Sequence, residues 1–414
     1  MPPPAVLTFE DARRIVEEHA ARLHPSGKEL VELLDAAGLI LAEPVIADRD
    51  FPPFPRSTRD GYAVRAEDLS EPPVNLQVIG EIKAGSAEAT LHVQPGQAAA
   101  IMTGAPVPVG ADAVAMVEYT TCTGDQVEIA KGVRAGENIV ATGAEAKRGD
   151  HLLTAGTKLE PAAIGVAASV GRLRLLVYSK PRVAVLSTGD ELVDVDVPPK
   201  HHQIRNSNTY SLAAQIQAAG GEALLLPIAP DEPQRLGELI EEGFDANLLL
   251  ITGGVSMGKY DLVEQALTEL AAEFFFTGTL IQPGRPVVFG RIPWNSGSEA
   301  NQFKYFFGLP GNPVSSMVTY ELFARPIQEA LSGAIPRKLV WLHARLTSEF
   351  KTKPGLRRFL PAMLSGEFSK SKVEIVRWQG SGDIAAAARA NCYIVIPPDR
   401  ERIAAGEWVG VLSR

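Results

Sequence analysis

The stretch Leu248 to Asp261, LLLITGGVSMGKYD, places Gly253, Gly254, Ser256 and Gly258 close together and ends on an aspartate. Glycines let a backbone approach an anion, and a helix that opens after them offers free N–H groups and the positive end of its dipole. That combination suits a phosphate or an oxyanion. Asp261 would repel a bare anion, so it points to a metal ion that neutralises both charges. The spacing is not that of a Walker A loop, because Gly258-Lys259 is followed by Tyr260 rather than Ser or Thr. Taken alone, the stretch also suits a glycine-rich turn with Asp261 as a helix cap.

The elements that would position these residues begin at Lys180. RVAVLSTGDEL reads as a buried strand ending in Ser187-Thr188-Gly189-Asp190-Glu191. Asn206 or Asn208 caps a helix over residues 210–219, which Gly220-Gly221 closes. EALLLPIA is a second strand, and Asp231 precedes a helix over 233–242. Leu248 to Ile251 is a continuous apolar run of the kind buried on both faces of a parallel sheet, followed by a helix from Asp261 to Ala272. KYFFGL is a further strand, followed by the loop Pro310-Gly311-Asn312-Pro313, with Ser315 near the start of a helix over 317–331. This alternation predicts a doubly wound parallel sheet over residues 181–332. Ligands bind such sheets outside the carboxyl ends of the strands. Asp190, Glu191, Asp231, Gly253 to Asp261 and Pro310 to Ser315 all fall on that edge, and independent turns would have no reason to load one edge with acids and glycines.

The remaining chain changes grammar twice. Thr8 is an N-cap candidate for a helix to Leu23, and residues 30–41 are expected to continue it into a strand near Ala47. The prolines of FPPFP forbid helix and central strand, and this extended segment leads into Arg59-Asp60-Gly61-Tyr62, where Asp-Gly on its own suits a turn. Short β-like runs between Gly and Pro punctuation then predict a small inserted β domain over residues 51–144. On one of its loops Thr103 and Gly104 offer a hydroxyl and backbone amides that suit a phosphate, or an ordinary turn. Residues 1–50 and 145–180 form a discontinuous N-terminal α+β region, with a helix over 160–170. Residues 333–414 form a C-terminal β domain whose most polar loop is Gln379-Gly380-Ser381-Gly382-Asp383, a hairpin connection on its face.

Length and composition limit the functions. A chain of 414 residues is too long for one core, and 45% hydrophobic with 21% charged residues describes a soluble globular protein; with the alternation of strands and helices above, the expected fold class is α/β multidomain. A net charge of −9 argues against nucleic acid as a partner. No apolar stretch is long enough to span a membrane, and the start MPPPAVLTFEDA lacks the basic and apolar regions of a leader. Cys122 and Cys392 have neither a disulfide framework nor zinc spacing, so a cytoplasmic, reducing compartment is expected. His201-His202 reads as a solvated pair, and Phe274 to Phe276 as core.

TRDGYA, MTGAPVPVGADAV, STGDEL, TGGVSMGKYD, QPGRP and LPGNPVSS stand in this order, and together they resemble the molybdopterin molybdenumtransferases, the MoeA family that includes the gephyrin E-domain. The resemblance covers the whole chain. It implies an elongated four-domain homodimer with a C-terminal barrel, which takes adenylylated molybdopterin, brings molybdate to the dithiolene and releases AMP. It implies catalytic roles for Asp60, Thr103, Glu191, Asp231, Asp261, Arg285 and Ser381, with Glu191, Asp231 and Asp261 holding Mg²⁺ against the pyrophosphate. It implies substrate binding by Ser187, Thr188, Gly189, Asp190, Gly253, Gly254, Ser256, Gly258, Pro310, Gly311, Asn312, Pro313 and Ser315. Asp60 and Thr103 would face the partner subunit in a composite active site. Transient contacts with a molybdopterin adenylyltransferase and with molybdoenzyme acceptors follow from the same likeness.

The chain departs from the family pattern where cations are expected. Gly278 and Gln282 stand where lysines are usual, Leu356 and Pro361 where arginines are usual, and Ala144-Glu145 replaces an acidic pair. Arg285 keeps a positive charge in its loop, and Arg357 and Arg358 are the nearest replacements in the C-terminal domain. The alternative is therefore a specialised or weakened paralogue, using tungstate or serving as a pterin-nucleotide-binding scaffold.

Overall fold

A computed structural model describes residues 6–85, 91–254, 262–294, 303–335 and 338–413. Strand Leu248–Thr252 is buried at all five positions. Its alternate side chains feed two cores. Leu248 and Leu250 join Val183, Val185, Tyr305 and Phe307 on one face, and Leu249 and Ile251 join Ala184, Leu186 and Phe306 on the other. One face is covered from helices Ser207–Ala218 and Pro313–Thr319, the other from helices Pro233–Gly243 and Leu262–Glu269. Burying each such leucine contributes roughly 1.5–3 kcal/mol, which is why a continuous apolar run rather than an alternating one marks this strand.

The sheet order is Glu222–Leu225, Arg182–Ser187, Leu248–Thr252, Phe303–Leu309, Val288–Pro293, Glu273–Phe276. The first four strands are parallel, in the doubly wound arrangement the sequence predicts. Val288–Pro293 departs from it by running antiparallel to both neighbours. Only a parallel neighbour needs a helical crossover, and residues 277–287 contain only the short strands Gly278–Thr279 and Ile281–Gln282. The helix expected over 317–331 begins earlier, with Pro313 in its first turn. It continues through a π-helical turn, Tyr320–Ala324, into Arg325–Leu331.

This sheet belongs to a unit made of residues 1–42, 156–160 and 174–414. Helix Phe9–Ala20 is capped by the Thr8 hydroxyl, which accepts from the Asp11 amide, and buries Phe9, Ala12, Val16 and Ala20 in the first of the two cores. The helical continuation expected over 30–41 is corrected. Leu30 and Val31 lie in strand Lys28–Glu32, paired antiparallel with Arg174–Tyr178, and turns follow to Gly38. Cross-strand pairing with the Leu175-Leu176-Val177 run wins over local helix propensity. In the C-terminal part, Arg357–Ser365, Lys372–Ile375, Trp341–Leu346, Trp408–Ser413 and Cys392–Ile396 pair in that order, and the last pairs back with the first. They close a five-stranded barrel around Leu346, Leu360, Val373, Ile394 and Val411.

His19 faces the sheet from the first helix. Its ring stacks on Phe275 with centroids 4.0 Å apart, and Nδ1 lies 3.0 Å from the Tyr305 hydroxyl. Burial, reinforced by the nearby Arg291 guanidinium, holds its pKa below the ordinary value. The unfolded chain therefore takes up this proton more readily, and the stability tied to neutral His19 is lost as pH falls below about 6.5. Thermal melts are expected to drop more steeply over that interval for the natural chain than for His19→Phe. Parallel curves would remove the group from the acid response.

The second unit, residues 43–155 and 161–173, holds a six-stranded sheet. Its order is Ala113–Met116, Gly61–Val64, Gln97–Ile101, Val74–Ile82, Gln126–Ile129, Thr120–Thr123. One face is packed by Val64, Leu76, Val127 and Ile129, the other by Ala63, Ile82, Ile101 and Val114. Gly61 opens the second of these strands, and a Cβ there would stand 1.9 Å from the Ala115 carbonyl oxygen. The Asp-Gly pair is thus a strand entry that only glycine permits. No described helix in either unit is long and apolar enough to cross a membrane.

Candidate active site

The carboxyl ends of the parallel strands draw three of the sequence motifs together. The Thr188 amide donates to the Thr252 carbonyl at 3.0 Å, and the Gly189 amide to Ala229 at 3.2 Å. A Cβ on Gly253, at φ +92°, would lie 2.5 Å from the Thr188 carbonyl oxygen. Its glycine therefore lets the strand loops close on each other. Asn208 Nδ2 donates to the Thr252 hydroxyl at 3.0 Å and to the Gly311 carbonyl at 2.7 Å, tying the PGNP loop to the strand end. Below it the Ser187 hydroxyl sits between Asn206 and Thr209, and Ser316 Oγ donates to the Pro310 carbonyl. The sequence offered Asn206 and Asn208 only as caps, and Asn206 fills that role by accepting from the Thr209 amide. Thr209, Thr252 and Ser316 were not among the residues it singled out. The available signal was a polar residue closing each buried strand or opening the helix that follows.

Asp190, Glu191 and Asp231 share this edge. The Asp231 amide donates to Asp190 Oδ1 at 3.1 Å, and the Glu191 carboxylate folds against Gly189, where a Cβ would meet Oε2 at 2.3 Å. All three acids are exposed and make no ion pair with a described residue. Among the described residues no three His, Cys, Asp or Glu side chains converge tightly enough to hold a metal by themselves. Ser256, Gly258 and Asp261 lie outside the described residues.

A cavity of about 340 Å³ opens beside the PGNP loop. Arg285, Pro310, Asn312, Ser315 and Ser381, all expected on sequence grounds, line it together with Gln282, Pro283, Gly284, Leu356 and Trp378. Three local features build it. Strand Ile281–Gln282 pairs with Arg357 and Arg358 of the barrel, which carries the QPGRP loop to the cavity wall. The Val314 amide, one of the free donors at its helix N-terminus, donates to the Ser381 carbonyl at 3.0 Å. Asp383 accepts from the Gln379 and Ala386 amides, which holds its carboxyl below the usual range and fixes the loop as the cap of helix Ile384–Arg389. This is a helix entry rather than a hairpin connection.

Arg285 is exposed at this cavity and forms no ion pair with a described residue. The two replacement cations do not join it. Arg357 pairs with Glu10 and lies 5.5 Å from the Phe9 ring, locking the first helix to the barrel. Arg358 is 8% exposed and donates to the Leu356 carbonyl at 3.1 Å, and burial lowers its pKa. Neither lines the cavity.

In the second unit, Asp60 and Thr103 meet across 43 residues. The Thr103 amide and hydroxyl both donate to Asp60 Oδ1, at 2.6 and 2.9 Å. The amide above all, then the hydroxyl, holds this carboxyl below the usual range, so it is ionised throughout neutral pH with its second oxygen free to accept. Thr103→Val keeps the amide bond and removes the hydroxyl. A carboxyl titration followed by NMR should then place Asp60 closer to an ordinary aspartate. An unmoved titration would leave the hydroxyl without this role. Glu145, also in this unit, pairs with Arg56 at 2.6 Å.

Comparison with known proteins covers nearly the whole length. The N-terminal region of MoeA (domains I and II) matches residues 7–171, a probable molybdopterin-binding domain matches 184–330, and the MoeA C-terminal region (domain IV) matches 343–413. The molybdopterin molybdenumtransferase of Nostoc sp. is 36% identical over 93% of this chain and 88% of its own. That of Bacillus subtilis is 34% identical over 93% and 89%, and molybdopterin molybdenumtransferase 2 of Mycobacterium tuberculosis 34% over 98% of both. Two crystal structures of the molybdopterin biosynthesis protein MoeA from Pyrococcus horikoshii superpose over 99% of this chain. One has a TM-score of 0.78, 27% identity and 100% of its own chain covered; the other has 0.72, 32% and 99%. With matches of 34–36% identity over nearly the whole length, the chain belongs to the molybdopterin molybdenumtransferase family, enzymes of molybdenum cofactor biosynthesis.

Proposed function

We propose that the protein inserts molybdate into adenylylated molybdopterin, with cleavage of the pyrophosphate bond and release of AMP. The observation that carries this reading is the juxtaposition along one unit of an acid-bearing strand edge, the PGNP loop and a cavity holding Arg285 and Ser381. The nucleotide's phosphates would lie along the Gly189, Gly253 and Gly254 backbone, where a side chain would collide with Thr188 or Glu191. The oxyanion would sit in the cavity against the Arg285 guanidinium and the Ser381 and Ser315 hydroxyls. Asp190 keeps the Asp231 loop in place through the Asp231 amide.

Glu191 and Asp231, exposed and without an ion-pair partner among the described residues, suit a hard cation that takes one or two carboxylates and completes its shell with phosphate oxygens and water. Asp261 is assigned beside them from the sequence. Mg²⁺ bound there would neutralise the pyrophosphate charge and polarise the bond to be cleaved. The rest of the catalysis is positioning and electrostatic complementarity, without a covalent intermediate. In a homodimer with a composite site, Asp60 and Thr103 would present the free Asp60 oxygen to the partner's substrate. Both described cysteines are free, which supports a cytoplasmic setting. There a molybdopterin adenylyltransferase would supply the substrate and molybdoenzymes would accept the product.

The test is AMP release from adenylylated molybdopterin with Mg²⁺, titrated separately with molybdate and tungstate. Oxyanion-dependent release is expected. Tight nucleotide binding without release would favour the second reading, a specialised or weakened paralogue. That reading draws on Gln282 and Leu356, which line the cavity where the family usually carries cations.

A further inference from the structure

A larger cavity, of about 580 Å³, lies away from the catalytic edge. It sits where helix Pro233–Gly243 ends, and strand Leu248–Thr252 starts three residues beyond Asp245, so it belongs to the amino ends of the parallel strands. Phe244, Leu270, Ile292, Pro293 and Trp294 give it an apolar lining, with Phe244 and Ile292 buried. Glu238, Glu241, Glu242 and Asp245 add four carboxylates, all exposed.

Most of this charge has no ion-pair partner among the described residues. Glu238 is held by Arg235 at 2.8 Å, but Glu241, Glu242 and Asp245 form no ion pair with a described residue. They also stand at the negative end of the helix dipole, where acids are unfavourable. Lys304 is buried, donates to the Ala246 carbonyl at 3.1 Å and stands 5.2 Å from the Trp294 ring centroid. A fold gains nothing by gathering unpaired carboxylates at a helix C-terminus around an apolar hollow.

We propose that this cavity docks an arginine-bearing segment of a partner protein. Arginine joins an apolar stem to a planar cation, and the hollow is lined by both apolar side chains and carboxylates. The guanidinium can engage two carboxylates at once or lie against an indole, whereas a metal ion needs ligands converging on one point. No described cluster here converges in that way. A second copy of this chain carries the same net charge of −9 and is the less complementary occupant. Docking at the amino ends of the strands leaves the carboxyl ends open, so a partner held here could deliver or collect a ligand without blocking the site. The inference does not depend on which reaction that site performs.

The probe is a fluorescently labelled acetyl-Gly-Arg-Gly-Arg-Gly peptide, titrated with the full chain by anisotropy beside its citrulline counterpart. Binding is expected for the arginine peptide, weakening with salt, and at least about tenfold weaker for citrulline. The triple variant Glu241→Gln, Glu242→Gln, Asp245→Asn should lose about tenfold in affinity while melting no lower than the natural chain. A charge-matched control, Glu367→Gln, Glu374→Gln, Glu401→Gln, should bind like the natural chain. Equal affinity in all three proteins, or an equal loss in both variants, would overturn the proposal by reducing the binding to net charge. A triple variant that instead changes sedimentation without changing peptide affinity would overturn it in favour of self-association.

Discussion

Asp231→Asn is expected to slow AMP release by about a hundredfold or more while leaving the fold intact. The Asp231 side chain is exposed and has no described ion-pair partner; its amide, which holds the loop to Asp190 at 3.1 Å, is untouched by the change. A surface substitution of this kind shifts stability by no more than about 0.5 kcal/mol. What it removes is one of the three carboxylate charges assigned to the proposed Mg²⁺ site, and a hard cation binds a neutral amide oxygen less strongly than a carboxylate. The rate should therefore recover in part as Mg²⁺ is raised, and Glu191→Gln should behave alike. A variant with the natural rate and Mg²⁺ dependence would take Asp231 out of the metal site. Asp261→Ala extends the series to the residue assigned from sequence, with the same readout.

The strand edge was legible because burial on both faces and the turn residues at the strand ends leave period and punctuation in the sequence. The run Leu248 to Ile251 reads as a central strand between turn signals, and the alternation around it puts the loops that follow such strands at one edge. The antiparallel Val288–Pro293 was not legible as such. Strand direction depends on the path of the preceding connection, which local pattern does not encode. Residues 30–41 failed for a related reason. The partner that makes Leu30 and Val31 a strand is Arg174–Tyr178, far along the chain. The motif residues that line the cavity were found as separate loops. That Ser381 meets Val314, and that the QPGRP loop meets the barrel, are tertiary facts carried by a few backbone contacts. Arg357 shows the opposite failure. Its position beside a missing arginine made it a candidate cation, and only the structure reveals that Glu10 and Phe9 already occupy it.

Arg285→Ala is expected to raise the molybdate concentration for half-maximal AMP release by at least about tenfold. Arg285 is exposed at the cavity and has no described ion-pair partner, while Arg357 and Arg358 are engaged elsewhere. Removing it leaves the oxyanion with hydroxyl and amide donors alone, and neutral donors bind a divalent anion roughly half as strongly as charged ones. Affinity for the adenylylated pterin should change far less, because the phosphates are assigned to the glycine edge. Gln282→Lys makes the converse change in the same wall. Gln282 is exposed, lines the cavity and sits in a strand whose backbone pairing with Arg358 does not involve its side chain. The lysine should lower the molybdate requirement in the natural chain and restore much of what Arg285→Ala loses. If neither substitution moved the molybdate dependence, the oxyanion would have to bind outside this cavity. If Arg285→Ala acted alone, one guanidinium would suffice and the departures at Gln282 and Leu356 would tune oxyanion choice, which the tungstate arm of the same titration reads directly.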